Sequence, residues 1–319
     1  MRALALIALP LVLLALAGCG GTSSDSGTSA PGAVDVVATT TVLGDLARAV
    51  GGRDADVHQL LRANSDPHDY EPRPDDVVAT AEAQLVLTSG DGLDGWMEKV
   101  VEQAGGDPRV VDVGAAAPVV RRSGGDVDPH WWHDPRNAEA AVVAIRDELA
   151  RANPSARAGY TRRAAAKLRR LRALDVAIER CAATIPPARR TLVTDHDAFG
   201  YFAGRYGIRI VGTVIPSLTT QAQPSAGDLA ELARTIAREH VRTVFAERSV
   251  NPKLARAIAG ETHARADDSL YGDTLGAAGS DGATYLAMEA HNADAIVRGL
   301  GDERHGCPAA LRAAAGGRG

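Results

Sequence analysis

The sequence has no excess of basic charge and lacks the common motifs of hydrolases and nucleotide-binding enzymes. The formal net charge of the 319 residues is −5, with basic and acidic side chains interspersed, which argues against a nucleic-acid-binding surface. An arginine-rich run from Arg162 to Arg172 contains no aromatic residue and has helical spacing, so we interpret it as a solvated helix face. A His-Glu-x-x-His motif, a Gly-x-Ser-x-Gly elbow and a Walker-type phosphate loop are all missing.

Long hydrophobic runs are also missing, apart from one at the start of the sequence. This run, Ala3 to Ala17, is shorter than the roughly 20 apolar residues of a membrane span and is typical of a signal peptide. The segment Leu16-Ala17-Gly18-Cys19 looks like a bacterial lipobox, in which the cysteine is lipidated. The alternative is a cysteine that happens to follow a cleaved signal. We expect a signal peptide over residues 1–18 and a lipidated, flexible tether over 19–33, which would anchor the protein on the outer side of the cell membrane.

Cysteine is scarce, with three residues in all. If Cys19 carries lipid, Cys181 and Cys307 remain as an even pair in an oxidising compartment. We predict that these two residues form a disulfide that ties the C-terminal tail to the second half of the protein. The alternative is two separate buried thiols.

Short β-branched runs alternate with amphipathic stretches from Val34 onward, a pattern typical of parallel sheets covered by helices. The length suits two cores, so we predict an α/β fold of two lobes, each with a four-stranded, mainly parallel sheet, over residues 34–153 and 187–307. The expected strands are 34–40, 57–61, 85–88, 110–113, 191–194, 208–214 and 243–246, with a short one near 264. The expected helices are 42–50, 92–104, 198–206, 225–239, 252–261 and 283–300, and one that opens near Asn137.

One long helical pattern separates the two lobes. It follows Pro154, has no internal glycine or proline after Gly159, and ends before Pro186-Pro187. We expect one rigid backbone helix within residues 154–186, and hence local loop motion with only limited rocking of the lobes. The tail, residues 308–319, is expected to be weakly ordered.

Four loops carry residues that suit a metal ion. His68 lies in Asp66-Pro67-His68, His130 in Asp128-Pro129-His130, His196 follows a predicted strand, and Asp273 lies in a loop before the last long helix. Open α/β sheets bind ligands at such loops, and two of the four come from each lobe. Three neutral imidazoles and one carboxylate would form a closed tetrahedral zinc site, whereas manganese prefers more oxygen donors. The sequence therefore predicts one Zn²⁺ ion bound by His68, His130, His196 and Asp273.

These motifs resemble those of the solute-binding proteins of zinc and manganese ABC importers, known as cluster A-I or the ZnuA, TroA and AztC group. The resemblance extends from Val34 to Leu300. It rests on Asp-Pro-His motifs at 66–68 and 128–130, on the segment 196–202, and on the segment 270–275. It implies a binding protein rather than an enzyme, which takes its ligands from these four loops and delivers metal to a membrane permease.

The resemblance also bears on the choice of metal and on partners. Manganese binders of the family tend to carry glutamate at the third ligand position, where this chain has His196, which implies zinc. Many zinc importers have a loop rich in histidine and acidic residues, whereas the segment from Pro118 to Asp126 contains Arg121 and Arg122 and no histidine. The polar segment from Ser217 to Ser225 fits the AztC-like subgroup, which receives zinc from a metallochaperone. That segment is either a mobile loop that closes near the metal or a connection without function.

Several neighbours of the ligand candidates are ambiguous. Asp66, Asp128, Asp195 and Glu247 are candidates to accept the second N–H of a ligand imidazole. Asp66 and Asp128 could equally be turn-forming residues before proline. His133 is either an alternate ligand or a packing residue at a helix start.

Three other interpretations are open. A manganese binder of the same family needs the same four loops, and a secreted zinc hydrolase would need an open coordination position for water. A metal-independent surface adhesin would leave the ligand set without a purpose. Among these interpretations we expect a monomeric metal-binding protein that has no nucleic-acid partner.

Overall fold

The first lobe is a four-stranded parallel sheet with helices on both faces. The computed structural model describes residues 30–118, 125–301 and 306–316. The strands pair in the order β2-β1-β3-β4, all parallel. The elements are β1 (Val34–Ala38), α1 (Thr41–Gly51), β2 (Ala55–Gln59), α2 (Pro74–Glu82), β3 (Leu85–Thr88), α3 (Met97–Ala104), β4 (Arg109–Asp112) and α4 (Pro135–Ala152).

The second lobe repeats this arrangement. Its strands pair in the order β6-β5-β7-β8, again all parallel, so both sheets share one topology. The predicted fold of two four-stranded α/β lobes is thereby confirmed. The elements are β5 (Thr191–Thr194), α6 (Gly200–Tyr206), β6 (Arg209–Thr213), α7 (Ala226–Arg238), β7 (Thr243–Glu247), α8 (Lys253–Thr262), β8 (Arg265–Leu270) and α9 (Tyr285–Leu300).

One long helix, α5 (Arg157–Ala182), connects the lobes. Its 26 residues correspond to about 39 Å at the usual rise per residue. Leu171, Leu174 and Ile178 of this helix are fully buried in a single apolar cluster that contains residues of both lobes. Because both lobes pack on one continuous core, a wide opening between them would expose apolar surface to water.

Two helices differ from the sequence prediction in the first lobe. The helix expected at 92–104 begins only at Met97: Gly90, Asp91 and Gly92 have positive φ angles of 82°, 51° and 83°, and the residues from there to Trp96 form turns rather than a helix. Helix α2 was not predicted, although Pro74 at its start and two acidic residues in its first turn are ordinary signals of a helix N-terminus.

The expectation of a weakly ordered tail is wrong for residues 308–315. These residues form helix α10 (Pro308–Ala315), which packs against α5 and α9. Leu311 is buried there, and the alanine-rich surface of the helix allows close approach to its neighbours. The predicted disulfide between Cys181 and Cys307 is present, and it joins the end of α5 to the start of α10.

Some predictions fall outside the described residues. The signal peptide, Cys19 and most of the tether belong to residues 1–29, and Arg121 and Arg122 belong to 119–124. In the ranges that the structure describes, no helix combines the length and the apolar character needed to cross a bilayer.

The disulfide generates a stability prediction. It joins residues that are 126 positions apart in the sequence and so closes a long loop. Replacing both cysteines by serine should lower the free energy of unfolding by about 2–4 kcal/mol, because the unfolded chain regains entropy. Chemical denaturation of the oxidised protein and the double variant measures this difference, and equal midpoints would contradict it.

Candidate metal centre

The four candidate ligands lie on loops at one end of the two sheets. His68 is in a one-turn 3₁₀ helix, Pro67–Asp69, in the connection that follows β2. His130 directly precedes a similar turn, Trp131–His133, at the start of α4. His196 and Asp273 follow β5 and β8 by two and three residues, counted from the strand ends Thr194 and Leu270.

These loops bring the four side chains together. One ligand atom from each residue lies within 4.8 Å of those of the others. The Nε2 atoms of His130 and His196 are 3.3 Å apart, and they lie 3.3 Å and 3.4 Å from the two carboxylate oxygens of Asp273. His68 Nε2 is 3.6 Å from Asp273 Oδ2. Four nitrogen and oxygen atoms thus surround one small space between the lobes.

The separations suit a small dication. Zinc bonds to nitrogen and oxygen are about 2.0–2.1 Å long, so the ligand atoms of a tetrahedral site are about 3.3–3.4 Å apart. The observed separations of 3.3–3.6 Å are close to this value. Both oxygens of Asp273 face imidazole nitrogens, so this carboxylate can bind through either oxygen or both.

The ligand atoms are buried and poorly satisfied without an ion. The side chains of His130, His196 and Asp273 are fully buried, and that of His68 is 7% exposed. In the described part of the chain, His68 Nε2 and both Asp273 oxygens are buried atoms without a hydrogen bond of suitable geometry. Buried polar atoms of this kind are costly unless a partner compensates them, and a cation would do so.

His68 lies at the mouth of the site. It lines a cavity of about 550 Å³ whose walls come from both lobes, including Leu93 and Asp91 of the first and Asp197 and Leu218 of the second. An ion that arrives from solvent through this cavity meets His68 before the three deeper ligands.

Two carboxylates orient the deeper imidazoles. Asp128 Oδ1 lies 2.8 Å from His130 Nδ1 and also accepts the backbone N–H of His130 at 3.0 Å. Glu247 Oε1 lies 2.8 Å from His196 Nδ1. A proton on each Nδ1, donated to these carboxylates, leaves the Nε2 lone pair directed at the shared space.

Asp66 and Asp195 were candidates to accept the second N–H of a ligand imidazole, but their hydrogen bonds go to other groups. Asp66 accepts the backbone N–H of His68 and the hydroxyl of Thr220, so it forms a turn before Pro67 and a link to the second lobe. Asp195 accepts the backbone N–H of Glu247, since the neighbouring strands β5 and β7 place that amide beside it. Burial, together with the charge of Glu247, raises the pKa of Asp195 to about 7.

The pKa values of the three imidazoles diverge. Burial lowers the pKa of His68 to about 4, so this ring is neutral at physiological pH. Burial also acts to lower the pKa of His130 and of His196, but nearby carboxylates outweigh it and both pKa values are raised. Those carboxylates are Asp128 and Asp273 for His130, and Glu247 and Asp273 for His196. Burial acts to raise the pKa of Asp273, but His196 and His130 lower it overall. These shifts favour protons on the deeper imidazoles of the metal-free site, which a metal ion would have to displace.

His133 does not join the ligand set. Its Nδ1 lies 2.8 Å from Glu289 Oε1 and its Nε2 lies 2.9 Å from the Gly272 carbonyl oxygen. Both ring nitrogens are therefore occupied by protein groups. Glu289 itself was not anticipated from the sequence, although an acidic residue within the apolar pattern of α9 is an available signal.

The segment from Ser217 to Ser225 crosses between the lobes. The Thr220 hydroxyl donates to Asp66 at 2.6 Å, and the Gln221 side-chain amide donates to the His68 carbonyl oxygen at 2.7 Å. This loop of the second lobe thus holds the loop of the first lobe that carries the most exposed ligand candidate.

Comparisons with known proteins agree with this geometry. The family model described as "Zinc-uptake complex component A periplasmic" matches residues 36–299. Manganese-binding lipoprotein MntA of Halalkalibacterium halodurans is 31% identical over 294 residues, which cover 91% of this chain and 96% of its own length. Zinc-binding protein TroA of Treponema pallidum is 33% identical over 273 residues, which cover 83% and 88%. Iron-binding protein YfeA of Yersinia pestis is 30% identical over 269 residues, which cover 83% and 86%.

The fold is shared as well. The solved structure of the periplasmic zinc-binding protein TroA from Treponema pallidum matches with a TM-score of 0.79 at 30% identity, and covers 85% of this chain and 100% of that chain. The chain therefore belongs to the ZnuA family: it is a metal-binding substrate-binding protein of an ABC importer, and not an enzyme.

Proposed function

We propose that the protein captures one Zn²⁺ ion with His68, His130, His196 and Asp273 and delivers it to the permease of an ABC importer. The observation that carries this proposal is the meeting of three imidazole nitrogens and one carboxylate in a buried space of tetrahedral dimensions. Zinc is the cargo, so nothing in the site has to perform a reaction on it.

The donor set supports zinc over other ions. Imidazole nitrogen suits zinc and other borderline ions, whereas manganese prefers more carboxylate, carbonyl and water oxygens. The relatives carry manganese, zinc and iron in their names at similar identity, so the family alone does not select the metal. Manganese is the second candidate, because both oxygens of Asp273 face the site and the manganese-named MntA aligns over 91% of this chain.

The location and further partners belong to the same proposal. MntA relatives are named lipoproteins, which supports a lipid anchor at Cys19 and a position outside the cytoplasmic membrane. A metallochaperone that donates zinc, as in the AztC-like subgroup, would approach the cavity beside His68. We further propose that the protein acts as a monomer, since the four ligand candidates come from a single chain.

The ligand assignment predicts the effect of removing one imidazole. His196→Ala should weaken zinc binding by more than about 100-fold, since loss of a residue that only orients a ligand already costs about 10 to 100-fold. The matched control is His58→Ala, which alters an exposed histidine of β2 and should leave zinc affinity unchanged. Competition with a chromogenic chelator measures both variants, with zinc and manganese in parallel. An unchanged zinc affinity of His196→Ala would remove this residue from the site, and a wild-type preference for manganese would contradict the choice of metal.

The pKa shifts predict that zinc binding releases protons. The raised pKa values of His130 and His196 favour protonated rings in the metal-free protein, and a metal ion must displace any proton on Nε2. Zinc affinity should therefore continue to rise as the pH increases above about 6.5, the usual pKa of histidine, instead of levelling off there. Because the pKa of His68 is lowered to about 4, protons should compete with the metal for this ring only in strong acid. Calorimetric titration at pH 7 in buffers of different ionisation enthalpy counts the released protons, and a heat independent of the buffer would contradict this prediction.

Gly272 gives a third prediction, because a side chain there would displace Glu247. A Cβ atom at position 272 would lie 1.7 Å from Glu247 Oε2 and 2.6 Å from its Cδ. Gly272→Ala should therefore move Glu247 away from His196 Nδ1 and weaken zinc binding by roughly 10 to 100-fold. Gly204→Ala, in α6 of the same lobe, is the matched control, since a Cβ there meets nothing within 4 Å. Equal zinc affinities of the two variants would show that Glu247 does not control the orientation of His196.

A further inference from the structure

A buried His–Glu pair lies beside the metal centre and is not part of the ligand set. His133 belongs to the turn Trp131–His133 of the first lobe, and Glu289 lies on α9 of the second. Both side chains are fully buried, and their ring nitrogen and carboxylate oxygen are 2.8 Å apart. A buried polar pair of this kind adds little to folding stability compared with apolar residues of similar size, so its presence calls for another role.

His133 contacts three separate segments of the second lobe. Beside Glu289 on α9, its Nε2 is bonded to the Gly272 carbonyl oxygen at 2.9 Å, in the loop after β8. Its ring stacks on Phe199, in the loop after β5, with centroids 4.4 Å apart. Because a carbonyl oxygen can only accept, Nε2 of His133 is the donor in the bond to Gly272.

Two of these segments carry ligand candidates. Gly272 directly precedes Asp273, and Phe199 follows His196 by three residues. The Gly272 carbonyl accepts a second N–H, from Trp132, at 2.9 Å. The preceding residue, Tyr271, is held at both its N–H and its carbonyl by the Asn292 side chain of α9. The main chain that leads into Asp273 is thus fixed from the first lobe and from α9 at once.

We propose that His133 and Glu289 are positioning residues, which hold Asp273 in the place where it can share an ion with ligands of the first lobe. Glu289 fixes the ring of His133, and the ring fixes the Gly272 carbonyl. The proposal rests on the proposed function, because it assigns the pair a role in metal binding. It extends that function to two residues that never touch the ion.

The double variant His133→Leu/Glu289→Leu tests the role directly. It removes both polar groups together, so no unpaired buried charge remains, and its fold is checked by circular dichroism and by thermal unfolding without metal. We expect zinc affinity to fall roughly 10 to 100-fold, as is typical when outer partners of a metal site are lost. We also expect a changed visible spectrum of the Co²⁺-loaded protein, because that spectrum reports the geometry of the ligand atoms.

Three further variants keep the test decisive. Glu289→Gln can donate its amide N–H to His133 Nδ1 and leave the Nε2–H on Gly272, so it should restore most of the affinity lost in the double variant. His133→Gln can satisfy one of the two partners at a time and should have an intermediate affinity, which gives a measurement if the double variant does not fold. Lys167→Met is the control: it breaks a partly buried ion pair, in which Lys167 Nζ on α5 lies 2.9 Å from Asp45 Oδ2 on α1, and it should change stability without changing zinc affinity or the cobalt spectrum.

The outcomes separate this inference from the proposed function. Wild-type affinity and an unchanged cobalt spectrum in a folded double variant, or in His133→Gln if the double variant does not fold, would overturn the positioning role and leave the binding function intact. Equal losses in Lys167→Met and the double variant would also overturn it, since the effect would then follow stability alone. A wild-type protein that binds neither zinc nor manganese nor cobalt would overturn the proposed function itself.

Discussion

The structure depends on one electrostatic constraint: the Asp273 carboxylate faces three imidazoles inside a space that water scarcely reaches. A carboxylate in such a place is costly unless positive charge accompanies it. In the metal-free protein the raised pKa values of His130 and His196 favour protons on these rings as the accompanying charge, and a metal ion would replace them. Positive charge beside this carboxylate can therefore come either from protons or from a metal ion.

The rest of the molecule holds these four side chains together, although burying them without an ion is costly. Both lobes present the carboxyl ends of parallel strands toward the site, and they pack on one helix and one continuous core. Asp128 and Glu247 orient two of the imidazoles through short hydrogen bonds. The cavity beside His68 lies between the loops of the two lobes, and the loop with Asp66 and His68 is joined to the second lobe by the hydroxyl of Thr220.

Sequence patterns predicted the strands and helices better than the side-chain contacts between them. The strands Leu85–Thr88 and Thr191–Thr194 were predicted to the residue, because buried β-branched runs bounded by turns are a local signal. The late start of α3 was missed, although Gly90 and Gly92 on either side of Asp91 are an ordinary signal of turns at that point. The loops with His68, His130, His196 and Asp273 were selected from their motifs. The partners Glu289 and Asn292 were not, since a sequence does not state which face of α9 meets which loop.

The four ligand candidates are buried to different depths, which bears on the order in which an incoming ion would meet them. Of the four, only His68 keeps some exposure, at the wall of the cavity. An ion that entered from this cavity would meet this imidazole before the three fully buried side chains, and an ion that left by the same path would part from it last. Thr220 and Gln221 of the second lobe hold the loop that carries His68 by two hydrogen bonds, so both bonds must break before that loop can move away from the cavity.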